Sequence, residues 1–148
     1  MATADRSNDH VVTVHNLNNG NMDMCTKGGP DPIWDLTFHK GDSGILWSAG
    51  VKATQYFTVR DGDKKKGQFG GHPRCSFAAI TADDAGQAYA ASSKGNVYVW
   101  NGNKIKQIYA FHDPSKGFVG SVMWNSGKLY SGGSDGTIKI VDTASGEC

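Results

Sequence analysis

Four segments of this chain repeat one another at nearly constant spacing, and that periodicity restricts the fold more than any other feature. Val11-Val12-Thr13-Val14-His15-Asn16, Gln55-Tyr56-Phe57-Thr58-Val59, Asn96-Val97-Tyr98-Val99-Trp100-Asn101 and Thr137-Ile138-Lys139-Ile140-Val141-Asp142 are each β-rich and each run into a polar, Gly-containing turn. With His15, Phe57, Trp100 and Val141 in register, the steps are 42, 43 and 41 residues. A fixed period of this length marks like supersecondary units, each of which buries its apolar faces only against a neighbour. Twenty glycines in 148 residues provide the tight turns such units need, and little of the chain reads as helix.

Alternation and turn signals divide the units into strands. Two strands fall near 10–16 and 21–27, and four near 33–38, 44–50, 53–60 and 65–70. Four more fall near 75–80, 86–92, 96–101 and 104–111, and three near 118–124, 127–132 and 137–142. Four short antiparallel strands every 40–45 residues or so is the plan of a WD40 propeller blade. The expected fold is therefore all-β: a partial propeller of about three blades. Residues 1–9 read as a disordered tail, 10–30 as a half blade, 31–71 and 72–112 as blades, and 113–148 as an incomplete blade. Closed propellers use about 4–8 blades. This arc is accordingly expected to be part of a larger ring, or to complete one by self-association or with a partner chain. A two-sheet β-sandwich is the alternative, since regularly spaced short strands suit it too.

Several pieces also resemble one particular group. Ser48-Ala49-Gly50-Val51-Lys52 with Tyr56-Phe57-Thr58-Val59 is similar to a strand pair of the echinoderm microtubule-associated protein-like (EML) family, and Lys65-Lys66-Gly67-Gln68-Phe69-Gly70 to the turn that follows it there. Lys94-Gly95-Asn96-Val97-Tyr98-Val99-Trp100 and Ser131-Gly132-Gly133-Ser134-Asp135-Gly136-Thr137 resemble that family's Gly-Asn-Ile-Tyr-Val-Trp strand and Ser-Gly-Gly-x-Asp-Gly hairpin. Ala53 and Phe57 depart from the His and Trp usual there. The family's hydrophobic HELP motif and coiled coil are not found in these residues, so trimerisation and any tubulin contact made through those parts are not carried over. The resemblance implies a non-catalytic interaction module of a microtubule-associated protein. Its implied partners are tubulin, microtubules or axonemal proteins, in the cytoskeleton and in a cilium or flagellum. A general WD40 scaffold in another complex is the alternative.

Composition narrows the remaining classes. Fifteen Lys+Arg against fourteen Asp+Glu leave a net charge of +1, which gives no general drive toward nucleic acid or an anionic membrane. The N-terminus lacks an apolar signal region, and no apolar run reaches the ~18 residues of a membrane span. Cys25, Cys75 and Cys148 are odd in number and far apart, which favours reduced thiols in a cytoplasmic setting. No cofactor or metal is expected: the five histidines lack metal-ligand spacing, and Asp83-Asp84 reads as a solvated turn.

His112, Ser131 and Asp135 stand where WD40 blades carry a structural hydrogen-bond network. The middle unit keeps His72 and Trp100 but has Lys94 at the aspartate position, so its network should be broken. A hydrolase triad from the same residues is disfavoured, because no GxSxG surrounds Ser131. Arg60, Lys64, Lys65 and Lys66 form the one basic cluster. It reads either as protection of an edge strand or as a contact for an acidic partner surface.

Overall fold

The computed structural model describes residues 1–148 as fourteen strands in four antiparallel sheets. The first sheet holds β1 (Ala2–Ala4), β2 (Val11–His15) and β3 (Met22–Lys27). The second holds β4 (Ile33–His39), β5 (Asp42–Gly50), β6 (Ala53–Thr58) and β7 (Asp63–Lys66). The third holds β8 (Phe77–Ala82), β9 (Gln87–Ser92), β10 (Val97–Asn101) and β11 (Lys104–Tyr109). The last holds β12 (Val119–Asn125), β13 (Lys128–Gly133) and β14 (Ile138–Asp142). Each sheet is a meander in chain order, the plan of WD40-type blades. No helix is long and apolar enough to cross a membrane.

Period-2 alternation explains why the sheets stack. On β9 and β10 the odd and even residues are both buried, each set against a different neighbour. Ala88, Ala90, Tyr98 and Trp100 pack with Trp47 and Ala49 of the second sheet. Tyr89, Ala91, Val97 and Val99 pack with Val119, Leu129 and Val141 of the last. A third cluster joins Val12, Val14 and Met24 to Leu46, Phe57 and Val59. The repeat residues Phe57, Trp100 and Val141 are fully buried on the third strand of their sheets, and each faces the sheet before it. Their surroundings are equivalent, as the repeat requires.

The inner row is equally regular. β4 packs beside β8, and β8 beside β12. Each carries a bulge at its second residue, between Ile33 and Asp35, Phe77 and Ala79, and Val119 and Ser121. Polar bonds cross from one sheet to the next: Ile80 N–H donates to Asp35 Oδ2 at 2.8 Å, and Trp124 N–H to Thr81 Oγ1 at 3.3 Å.

Two strand expectations need correction. Residues 1–9 are not a disordered tail, because Ala2–Ala4 pairs with β2 and makes the first sheet three-stranded. Three small residues offer no hydrophobic signature; the pairing is held by Thr3 Oγ1 against Thr13 Oγ1 at 2.7 Å and by the Met1 ammonium on the His15 carbonyl. The strand placed near 65–70 is Asp63–Lys66, an all-lysine-and-aspartate outer strand that lacks alternation.

The two end faces differ. The last sheet turns Ile138, Ile140 and Met123 outward, all exposed, with Ile138 77% accessible. The first sheet turns Thr3, Thr13 and Cys25 outward. Exposed β-branched side chains beside the free edge of β14 invite association. The isolated chain should elute from a sizing column as a dimer or larger, and Ile138→Lys with Ile140→Lys should shift it toward monomer. A monodisperse parent monomer would refute the open-face argument.

Candidate functional site

His112 follows β11, just before the short 3-10 turn Pro114–Lys116, and its side chain is buried. Its Nε2 lies 2.9 Å from Ser131 Oγ, and its Nδ1 lies 3.1 Å from both Asp135 oxygens. A carboxylate only accepts, so Nδ1 carries the proton and Nε2 accepts from the Ser131 hydroxyl. Asp135 sits in the β13–β14 turn. It also accepts from Thr137 N–H at 2.9 Å, Thr137 Oγ1 at 2.8 Å and Asp113 N–H at 3.2 Å. The Thr137 backbone bond leads in holding its carboxyl well below the usual carboxylate range, with further help from Asp113 N–H and His112. Ser134 Oγ accepts from Phe118 N–H and donates to the Lys116 carbonyl. The connection between the last two sheets is thus bolted onto the final hairpin. Gly133 makes room for it, since a Cβ there would collide with His112 Nδ1 and Asp135 Oδ1.

His72 and Trp100, counted with the network residues although Lys94 was expected to break their set, are joined in no such network. His72 is exposed and its side chain has no partner. The hairpin bonds Ser92 N–H to Asn96 O and Gly133 N–H to Thr137 O set the two sheets in register. Ala90 and Lys94 then fall where the last sheet has Ser131 and Asp135, so His72 has neither hydroxyl nor carboxylate to bind. Trp100 instead serves the core, its ring 5.5 Å from Phe69 and edge-on to it, with Nε1 unpartnered.

Asp83 was missed as a structural residue. It is buried, and not solvated as its turn sequence suggested. Its carboxylate accepts from Ala85 N–H, Gln87 N–H, Gln87 Nε2 and Tyr89 Oη at 2.8–3.1 Å. Burial, reinforced by Asp83, pushes the Tyr89 hydroxyl far above its ordinary value. The Asp-x-x-Gly turn followed by Gln87 and Tyr89 was the available signal.

The basic cluster divides. Lys64 Nζ donates to the Lys27 and Gly28 carbonyls of the first sheet, and burial followed by the nearby Lys66 charge pulls its ammonium below the ordinary lysine value. Lys65 alternates to the opposite side of β7. Arg60, Lys65 and Lys66 are exposed and form no salt bridge.

No family model matches the chain. It is 34% identical over 152 residues to the ciliary WD repeat-containing protein ctxp80 of Euplotoides octocarinatus, a match covering 99% of this chain and 21% of that protein. To human echinoderm microtubule-associated protein-like 2 it is 29% identical over 139 residues, covering 90% of this chain and 21% of that one. With its four sheets of WD40-type blades, the chain is similar to the echinoderm microtubule-associated proteins. The 77 kDa echinoderm microtubule-associated protein of Strongylocentrotus purpuratus is 24% identical over 148 residues, covering 97% of the chain and 22% of the relative. The chain therefore spans about a fifth of the length of these relatives.

The network makes two predictions. Ser131→Ala, which leaves His112 Nε2 without a partner, should lower unfolding stability by about 1–3 kcal/mol in urea titrations. A depressed carboxyl contributes stability above its unfolded value and loses it as pH falls through the lower folded value. The stability gap between parent and Asp135→Asn should therefore be widest near neutrality and narrow below about pH 4.

Proposed function

We propose that this chain is a non-catalytic interaction module of a microtubule-associated protein, binding tubulin, microtubules or axonemal partners in the cytoskeleton. The similarity of nearly its whole length to ciliary and microtubule-associated WD-repeat proteins carries this reading. Arg60, Lys65 and Lys66 are the contact, because they are exposed cations on an outer strand and its preceding turn. Their field reaches about 8 Å at physiological salt, enough to favour an acidic protein surface at close range. Lys64 is left out of the contact because its ammonium already ties two sheets together.

The His112–Ser131–Asp135 geometry has the order of a hydrolase triad, but in this reading it is a bolt. Ser131 is 2% exposed, and its side chain shares the face of Val122 that packs against the third sheet. A groove of about 150 Å3 beside Met123, Tyr130 and Ile138 borders Ser131 as well, but the Ser131 hydroxyl is committed to His112 Nε2. A substrate carbonyl has no approach to a nucleophile so placed.

Co-sedimentation with microtubules over a salt series tests the function. The parent should pellet at low salt and progressively less as salt rises. Lys65→Glu with Lys66→Glu should remove most pelleting without lowering the melting temperature. A parent that stays in the supernatant at low salt favours a scaffold of another complex.

A further inference from the structure

We propose that the groove between the β7–β8 connection and the start of β11 binds an acidic peptide. An aromatic side chain of that peptide enters between Phe69 and Ile105 while its carboxylates meet Lys66 and Lys104. This rests on the reading above that Lys65 and Lys66 meet an acidic protein surface, and it specifies the chemistry of that surface.

Charge is distributed unevenly along the chain. Residues 64–112 carry seven of the fifteen Lys and Arg but two of the fourteen acidic residues, Asp83 and Asp84. Asp83 is buried, and its carboxylate is committed to its own hairpin. The near-neutral total therefore conceals a basic third sheet and connection, balanced by acidic residues elsewhere. Clustered charge of one sign raises the local concentration of a partner of the other sign.

The connection gathers that charge around a groove. Gln68 N–H donates to the Asn103 carbonyl at 2.7 Å, and Gln68 pairs in parallel with Lys104. Asn103 Nδ2 reaches the Lys66 carbonyl at 3.4 Å. The Lys66 end of β7 is thus held beside the first residue of β11. Asp63 lies at the other end of β7, opposite Thr58, whereas Lys66 is opposite Gln55. Beyond Gln68 the chain turns back through Gly70 and Gly71, both at positive φ, and His72 N–H bonds to the Phe69 carbonyl. The resulting groove, about 310 Å3, is lined by Gln68, Phe69, Gly70, His72, Lys104 and Ile105. No acidic residue lines it. His72, left out of the buried polar network, forms one wall. It and Lys104 are exposed, and neither takes part in a salt bridge. Both sheets that border the groove have all four strands.

Its apolar wall is preorganised. Phe69 is held edge-on to Trp100 at 5.5 Å and lies 6.1 Å from Phe77, so its ring needs no ordering when a ligand arrives. Ile105 packs against the same cluster. The Arg74 guanidinium, 5.9 Å from the Phe69 ring, adds another exposed cation. An apolar wall with a few convergent polar groups suits a ring flanked by carboxylates: the ring gains burial and contact with Phe69, and the carboxylates gain lysine partners.

The probe is a short synthetic peptide with one phenylalanine between two runs of glutamate, titrated into the 148-residue chain by calorimetry. Binding is expected, and it should weaken as salt rises. Alanine in place of the phenylalanine should weaken it about tenfold, and lysines in place of the glutamates should abolish it. His72→Glu and Lys104→Glu should each weaken binding about tenfold with the melting temperature unchanged. Lys128→Glu, the same exchange on β13, should leave it within about twofold. No binding at millimolar peptide, equal binding of the alanine peptide, or an equal loss in Lys128→Glu overturns the proposal. If a groove variant fails to fold, the peptides compared on the parent still decide. Peptide binding without microtubule pelleting upholds the groove and removes the microtubule reading. Pelleting that depends on Lys65 and Lys66 without peptide binding does the reverse.

Discussion

Burial of sheet faces between sheets governs this molecule. A four-stranded meander of about 40 residues has no interior of its own, and its apolar faces are worth burying only against another sheet. The third sheet meets this requirement on both sides, and β9 and β10 consequently consist almost entirely of buried residues. One tight steric demand falls where sheets meet, at Gly67, where a Cβ would strike the Thr54 hydroxyl and the Trp100 ring. Polar groups at these junctions are specialised accordingly. Asp35, Thr81, Lys64 and Lys40 each reach from one sheet to a backbone group of another. Lys40 also lies 4.4 Å from the centre of the Trp124 ring, adding a cation–π contact to its bond with the Trp124 carbonyl.

The repeat was legible because its signal comes from residues that face neighbouring sheets, and packing constrains those residues strongly. Phe57, Trp100 and Val141 differ in size, yet all answer to one position. β1 was illegible for the opposite reason: Ala2-Thr3-Ala4 buries little, and partners ten or so residues away hold it in place. β7 escaped because four charged residues in an outer strand carry no alternation of polarity.

At the site, legibility depended on whether chemistry was local. His112, Ser131 and Asp135 were readable because a tight Ser-Gly-Gly-Ser-Asp-Gly hairpin fixes where its side chains point. His72 looked equivalent by spacing alone, but a histidine without Ser and Asp across from it has nothing to hold it inside. Lys64 looked interchangeable with Lys65 and Lys66. Only the placement of the first sheet reveals that one of the three caps carbonyls there. Asp83 shows the converse error, since an acidic turn is ordinarily wet and here Tyr89 and Gln87 close over it.

The threonine-and-cysteine face at one end and the isoleucine face at the other give the arc a sense of direction. Exposed aliphatic side chains cover the face beyond β14, whereas the outward face of the first sheet presents the Thr3 and Thr13 hydroxyls and the Cys25 thiol. Copies meeting through like ends would pair and stop, while unlike ends match poorly.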